Sequence, residues 1–295
     1  MNRLPVPKLA ALALGLAAAA APIAANAGAG ALLYERTLMT AAGERCRLFT
    51  PSIAAALAAS GRQARGAAIR EGLAPSILSD MEARARAKAA QIACNAPDLA
   101  VAAERVRAAF DGYSRMTAMN FPGAFSSWRA DRGHPRQMTA SWRLSQTAKS
   151  SAGPVVFGVA YEKAAPSLTA VVASPAALTA AGARLVLRDV SLTTAPYVDT
   201  RRKDLGGRVA PRASTRVFLA SGRGAAPAGL LPAGAAAGAA FRFPEAAAKA
   251  LEGLDPREAV TLELVYPTRD GERVESTLLE VGDFAAGRAF LAAQS

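Results

Sequence analysis

The chain is 295 residues long, 52% hydrophobic and 20% charged, enough for one large or two ordinary domains. Thirty-five lysines and arginines face 23 aspartates and glutamates, a formal charge of +12 that draws a surface toward anionic polymers or membrane headgroups. Two cysteines and one histidine do not supply the four ligands of a structural zinc site, and the single histidine is the only base on offer for Ser-His-Asp chemistry.

The first 27 residues have the layout of a secretory signal peptide: Arg3 and Lys8, an apolar run from Leu9 to Ala21, then Ala25-Asn26-Ala27 as the cleavage site. The apolar run is shorter than the roughly 20 residues that cross a bilayer, and no later stretch reads as a span. Subtracting Arg3 and Lys8 from the 35 basic residues leaves 33 against 23, a formal +10 after cleavage. Arginine far outnumbers lysine and alanine is frequent throughout, so compositional bias is a second explanation of that charge. Export places the chain in a periplasmic or secreted setting, where Cys46 and Cys94 are expected to pair. A closed loop of that length stabilises the folded state by about 4 kcal/mol in the chain-entropy model.

Residues 28–120 read as a bundle of four helices. Met39, Ala42, Cys46 and Phe49 share one face of the first. Thr50 then caps the second, with Pro51 at its first position. Ile53, Leu57, Ala64 and Ala68 keep its face, while Gly61 and Gly66 predict a break near Ser60-Gly61. Ile77, Met81, Ala85, Ala89 and Ile92 mark the third stripe, and Leu99, Ala102, Val106, Phe110 and Tyr113 the fourth. In an up-down bundle the first and third helices run parallel, which brings Cys46 and Cys94 to the same end. Core packing accounts for these stripes, and a groove for a partner helix or a lipid is the functional alternative.

Residues 121–137 are expected to form a solvated basic linker holding Arg129, Arg132 and Arg136 against Asp131, with Trp128 packed at the boundary. No nucleic-acid-binding motif accompanies these residues. Residues 138–295 read as a β-sandwich-like module. Expected strands are Gln137 to Thr147, with Trp142 and Leu144 on one face, then Val155 to Tyr161, Leu168 to Ala173, Arg184 to Leu192, Thr215 to Ala220 and Ala240 to Phe243. Val217 and Leu219 alternate with Arg216 and Phe218, as in a strand with one buried face. A basic loop carries Arg201, Arg202 and Lys203, and the Gly/Ala/Pro-rich stretch from Ser221 to Ala239 reads as loop. A helix from Pro244 to Leu251, strands from Ala259 to Tyr266 and Arg273 to Val281, and a last helix capped by Asp283 complete the chain. The class is therefore α+β: an N-terminal helical bundle followed by an antiparallel β-sandwich with a C-terminal helix.

The order Phe241-Arg242-Phe243, alanine-rich helix, strand, Asp270-Gly271 turn, strand, Leu278, Val281-Gly282-Asp283-Phe284, Ala286 and Ala289 is similar to the end of the invasion-associated locus B family. The resemblance extends from near Trp142, in the place of the tryptophan of the family's opening strand. The chain differs from it in having no cysteine after Cys94 and one residue between Gly282 and Phe284. The resemblance implies an exported, envelope-associated β-sandwich with no established catalytic residues.

His134, with Asp131, Ser126 and Ser127 nearby, lies outside any nucleophile-elbow context. Met116, Met119, Met138 and His134 are a conceivable Cu(I) set, and thioethers equally fill helical cores. Glu263, Glu275 and Glu280 alternate with apolar residues as on the wet face of a sheet. The sequence thus points to a non-enzymatic, cofactor-free envelope protein binding an anionic polymer or membrane surface. The expected contacts are Arg129, Arg132, Arg136, Arg201, Arg202 and Lys203. An envelope-polymer hydrolase using unidentified carboxylates and a periplasmic copper protein are the alternatives.

Overall fold

The computed structural model describes residues 28–133, 140–162 and 165–293. Residues 1–27, where a signal peptide is expected, and His134, Arg136 and Met138 lie outside the described residues. Helices α1 (Ala29–Cys46), α2 (Pro51–Arg70), α3 (Pro75–Gln91) and α4 (Pro97–Ser114) come first. Proline occupies the start of α2, α3 and α4, where its missing N–H has no partner to lose. Thr50 Oγ1 accepts from Ile53 N at 3.4 Å and caps α2 as expected. α1 ends at Arg47 in the left-handed conformation (φ 54°), and Gly43 leaves room for the Phe49 ring to fold back beneath it.

Leu33, Ala68, Ile69 and Leu78 form one core of the bundle, and Met39, Ala42, Leu57 and Leu99 the other. The third stripe is phased one residue differently at its start, because Leu78 turns inward and Ile77 is exposed. Cys46 and Cys94 are bonded (S–S 2.03 Å, Cα–Cα 5.5 Å), joining the ends of α1 and α3. The expected break in α2 does not occur. Gly61 and Gly66 remain helical, and Gly66 is where the backbone of α2 meets the Asp283 side chain.

The rest is a sandwich of two antiparallel sheets. Strands β1 (Ala118–Pro122), β2 (Ser127–Asp131), β3 (Ser141–Ser150), β4 (Gly153–Glu162) and β5 (Ala165–Val172) follow in order, then β6 (Gly182–Arg188), β7 (Thr215–Leu219), β8 (Gly222–Ala225) and β9 (Ala239–Phe243). Helix α5 (Glu245–Glu252), strands β10 (Ala259–Thr268) and β11 (Gly271–Glu280) and helix α6 (Phe284–Ala292) close the chain. The seven-stranded sheet runs β1-β2-β3-β4-β5-β9-β8 and the four-stranded sheet β11-β10-β6-β7. Trp128, Phe157, Phe241, Leu185, Phe284 and Phe290 fill the space between the sheets and α6.

Four local readings change. Residues 121–133 are not a solvated linker but contain most of the β1–β2 hairpin, because Trp128 and Ala130 point into the core on alternate positions. Trp128 is 1% exposed, and its Nε1 donates to Val281 O at 2.9 Å. A register shift between Trp142 and Leu144 sends the two to opposite faces: Leu144 enters the sandwich core, while Trp142 packs outside with Leu230. Leu230 is fully buried within the 221–239 stretch, which also contributes β8. On β7 the buried residue is Phe218, and Val217 and Leu219 face solvent at 48% and 65% exposure, since nothing among the described residues covers that edge of the smaller sheet.

Candidate functional site

The bundle meets the sandwich along α2. Gly66 lacks the methyl that would overlap Asp283 Oδ1, so α2 approaches closely enough for Arg70 to pair with Asp283 in a two-pronged bond, Nη1 to Oδ1 at 2.6 Å and Nη2 to Oδ2 at 2.7 Å. Asp283 is positioned at the start of α6, but its side chain serves this pair and makes no helix cap. Burial pushes its carboxyl above the ordinary carboxylate value, Arg70 pulls it back, and Glu280 adds to the rise. Gly282 takes φ +50° with the Trp128 ring against it, which turns the chain from β11 into α6.

Arg132 makes a second joint. Its Nε and Nη2 donate to Phe290 O at 2.9 and 2.6 Å, and Nη1 donates to Tyr113 O at 3.3 Å. The guanidinium lies over the rings of Phe290 (3.5 Å) and Tyr113 (4.6 Å). It ties the end of α4 to the last turn of α6, where a cation also opposes the helix dipole. Burial lowers its pKa from the ordinary guanidinium value and raises that of Tyr113.

Beside the Arg70–Asp283 pair opens a cleft of about 370 Å³ between α2 and α5–α6. Arg62 and Arg65 line it from α2, Lys249 and Glu252 from α5, and Leu254, Pro256, Val281 and Gly282 form its apolar part. Arg65 pairs with Glu82 at 3.2 Å, and Glu252 pairs with Arg288 at 3.2 Å. Arg62 and Lys249 have no ion-pair partner among the described residues, and both are exposed. A neighbouring hollow of about 270 Å³ between α1 and α2 shares Arg62 and Arg65 and is lined by Arg36 and Arg86 together with Glu44 and Glu82.

The residues expected to contact an anionic partner are not gathered there. Arg132 is buried in the joint just described, Arg129 is exposed on β2, and Arg136 lies outside the described residues. Arg201 and Arg202 project from the 189–214 loop, each already paired to a carboxylate two residues away, Asp199 at 2.9 Å and Asp204 at 2.9 Å. Those hydrogen bonds hold the carboxyls of Asp199 and Asp204 below the usual range. Lys203 is exposed beside them. Arg62, Arg65 and Lys249 were missed because each sits in a helix whose pattern is explained by folding alone.

The acidic stretch also reads differently in three dimensions. Glu258, Glu263, Glu280 and Asp283 are buried, not on a wet face. Glu258 takes both prongs of Arg188 at 2.6 and 2.9 Å and accepts from the N–H groups of Tyr197 and Asp255. Glu263 accepts from Arg212 Nη2 at 2.7 Å. Glu280 sits in a cage of three backbone donors, Ala124 N at 2.6 Å, Phe125 N at 2.9 Å and Ser126 N at 2.7 Å. Ser126 Oγ is engaged by Glu280 and Gln146.

Of the possible copper set, Met119 packs against the sandwich core and Met116 is exposed, while Met138 and His134 are outside the described residues. Among the described residues no three His, Cys, Asp or Glu side chains cluster as a metal site, and no helix is long and apolar enough to cross a membrane. Compared with family models, with curated proteins and with solved structures, the chain has no match.

Proposed function

We propose that this chain is an exported, non-enzymatic envelope protein that binds an anionic envelope component in the cleft between α2 and α5–α6. The observation that carries the reading is the pair Arg62 and Lys249, which line one cleft from two different elements and have no ion-pair partner among the described residues, while the cleft's carboxylates, Glu252 and Asp283, are taken by Arg288 and Arg70. The buried Arg188 and the half-buried Arg70 are matched by carboxylates, whereas Arg62 and Lys249 stay open on the cleft wall. Unmatched cations in a partly walled cleft concentrate field on an incoming phosphate or carboxylate. The signal-peptide layout of residues 1–27, the disulfide and the C-terminal resemblance to the invasion-associated locus B family support the envelope setting.

The test is a pull-down of residues 28–295 from envelope fractions across a salt series. The expected result is a component retained at low salt, released as salt screens the cleft, and lost when Arg62 and Lys249 are both replaced by glutamine. No retained component at low salt would sink the reading.

A further inference from the structure

We infer a second binding site on the bundle, a groove between α4 and the α1–α2 pair that takes a free, single-chain anionic amphiphile such as a fatty acid. The fourth apolar stripe is only half used in the core. Leu99 and Ala103 at the start of α4 are buried, whereas Val106, Phe110 and Tyr113 toward its end are half-exposed. Along that second half lie two adjoining hollows, about 470 Å³ against α1 and about 210 Å³ against α2, which share Arg36, Val106 and Ala109.

Their walls are mostly apolar, with Leu38 and Met39 on one side and Ile53 and Leu57 on the other. The larger hollow falls in the volume range of small-molecule pockets, and the smaller one extends it.

The charges at the groove select the head group. Arg36 donates through Nε to Ser60 Oγ at 2.8 Å and through Nη1 to Glu35 at 3.3 Å, leaving Nη2 without a hydrogen bond among the described residues. Arg105 lines the larger hollow and has no ion-pair partner among the described residues. Two guanidiniums against the one carboxylate of Glu35 leave a single positive charge, which matches a singly charged head. At the far end Tyr113 closes the smaller hollow, its ring also packed against Arg132 and Phe290. The acyl chain runs from the arginines along Val106 toward Phe110.

The experiment is displacement of the fluorescent fatty acid cis-parinarate from residues 28–295 by palmitate and by hexadecanol, which share a chain and differ in charge. Palmitate is expected to displace the probe, with hexadecanol weaker by roughly tenfold through loss of the charge-assisted hydrogen bond. Arg105→Gln is expected to bring palmitate close to hexadecanol. Val106→Trp fills the groove and is expected to abolish binding with the thermal midpoint kept; if that midpoint falls, Ala109→Leu is the substitute. Equal displacement by the acid and the alcohol, undiminished binding in a folded groove-filled variant, or probe uptake only in the presence of phosphatidylglycerol vesicles would overturn the site.

Discussion

The buried carboxylates decide how the sandwich ends are held. Glu280 is 1% exposed and receives three backbone N–H donors, so its charge replaces the water that those amides would otherwise bind. Glu280→Gln turns an N–H₂ group toward one or more of those donors and removes the charge, an expected loss of about 1.5–3 kcal/mol in urea unfolding. An unchanged midpoint would show that the 123–126 loop is held by other means.

Asp283 gives a pH dependence whose sign follows from its raised pKa. The folded chain keeps that proton to higher pH than the unfolded chain, so the group's contribution is full below the ordinary value of 3.8 and declines as pH rises through the elevated one. Stability of the wild type relative to Asp283→Asn should therefore fall over the pH interval that begins at the ordinary value and runs through the elevated one. A relative stability that rises over that interval would mean the Arg70 pair outweighs burial. None of these partners was legible in the sequence. Alternation of Glu263, Glu275 and Glu280 marks positions along a strand, but what covers each comes from residues far off in the chain, Arg212 and the 124–126 amides among them.

At the scale of elements, the four helices were readable because proline starts three of them and their apolar spacing repeats. The strands β4, β5, β9, β10 and β11 were readable for the corresponding reason, runs of branched and aromatic residues between turn residues. The β1–β2 hairpin was not, since Pro122 and Gly123 break its apolar pattern and its strands are five residues each. Strand β8 was not either, because Gly222 to Ala225 pairs through backbone alone and presents almost no side chains to read. Gly66 illustrates the converse: it looked like a helix weakness and is a contact point. Gly66→Ala is expected to cost about 1–3 kcal/mol through overlap with Asp283, well beyond its helix-propensity gain, and a stabilised variant would refute the close approach. Reduction of Cys46–Cys94, which closes a 48-residue separation, should remove about 4 kcal/mol from the bundle. Amide exchange is expected to rise first in α1 and α3 while β4 and β10 stay protected. Simultaneous loss would mean that the two joints, Arg70–Asp283 and Arg132, make one cooperative unit.

For the molecule as a whole, the basic surplus read from composition becomes a question of where cations lack partners. Arg201 and Arg202 are answered by local aspartates and Arg132 by carbonyls and rings, so charge count alone does not say which cations are open to a partner. Arg62 and Lys249 belong to different halves of the chain, α2 of the bundle and α5 of the sandwich, and only the fold brings them to one cleft. An anion bridging them must couple their contributions. Titration of residues 28–295 with inorganic polyphosphate should therefore show Arg62→Gln and Lys249→Gln each weakening binding, with a double variant departing from the sum of the two by at least about 0.5 kcal/mol. Additive losses would place the two residues at separate anions. If Arg201→Gln combined with Lys203→Gln weakened binding equally, the attraction would belong to the net charge of the surface and the cleft would lose its role, because a diffuse field does not distinguish one exposed cation from another.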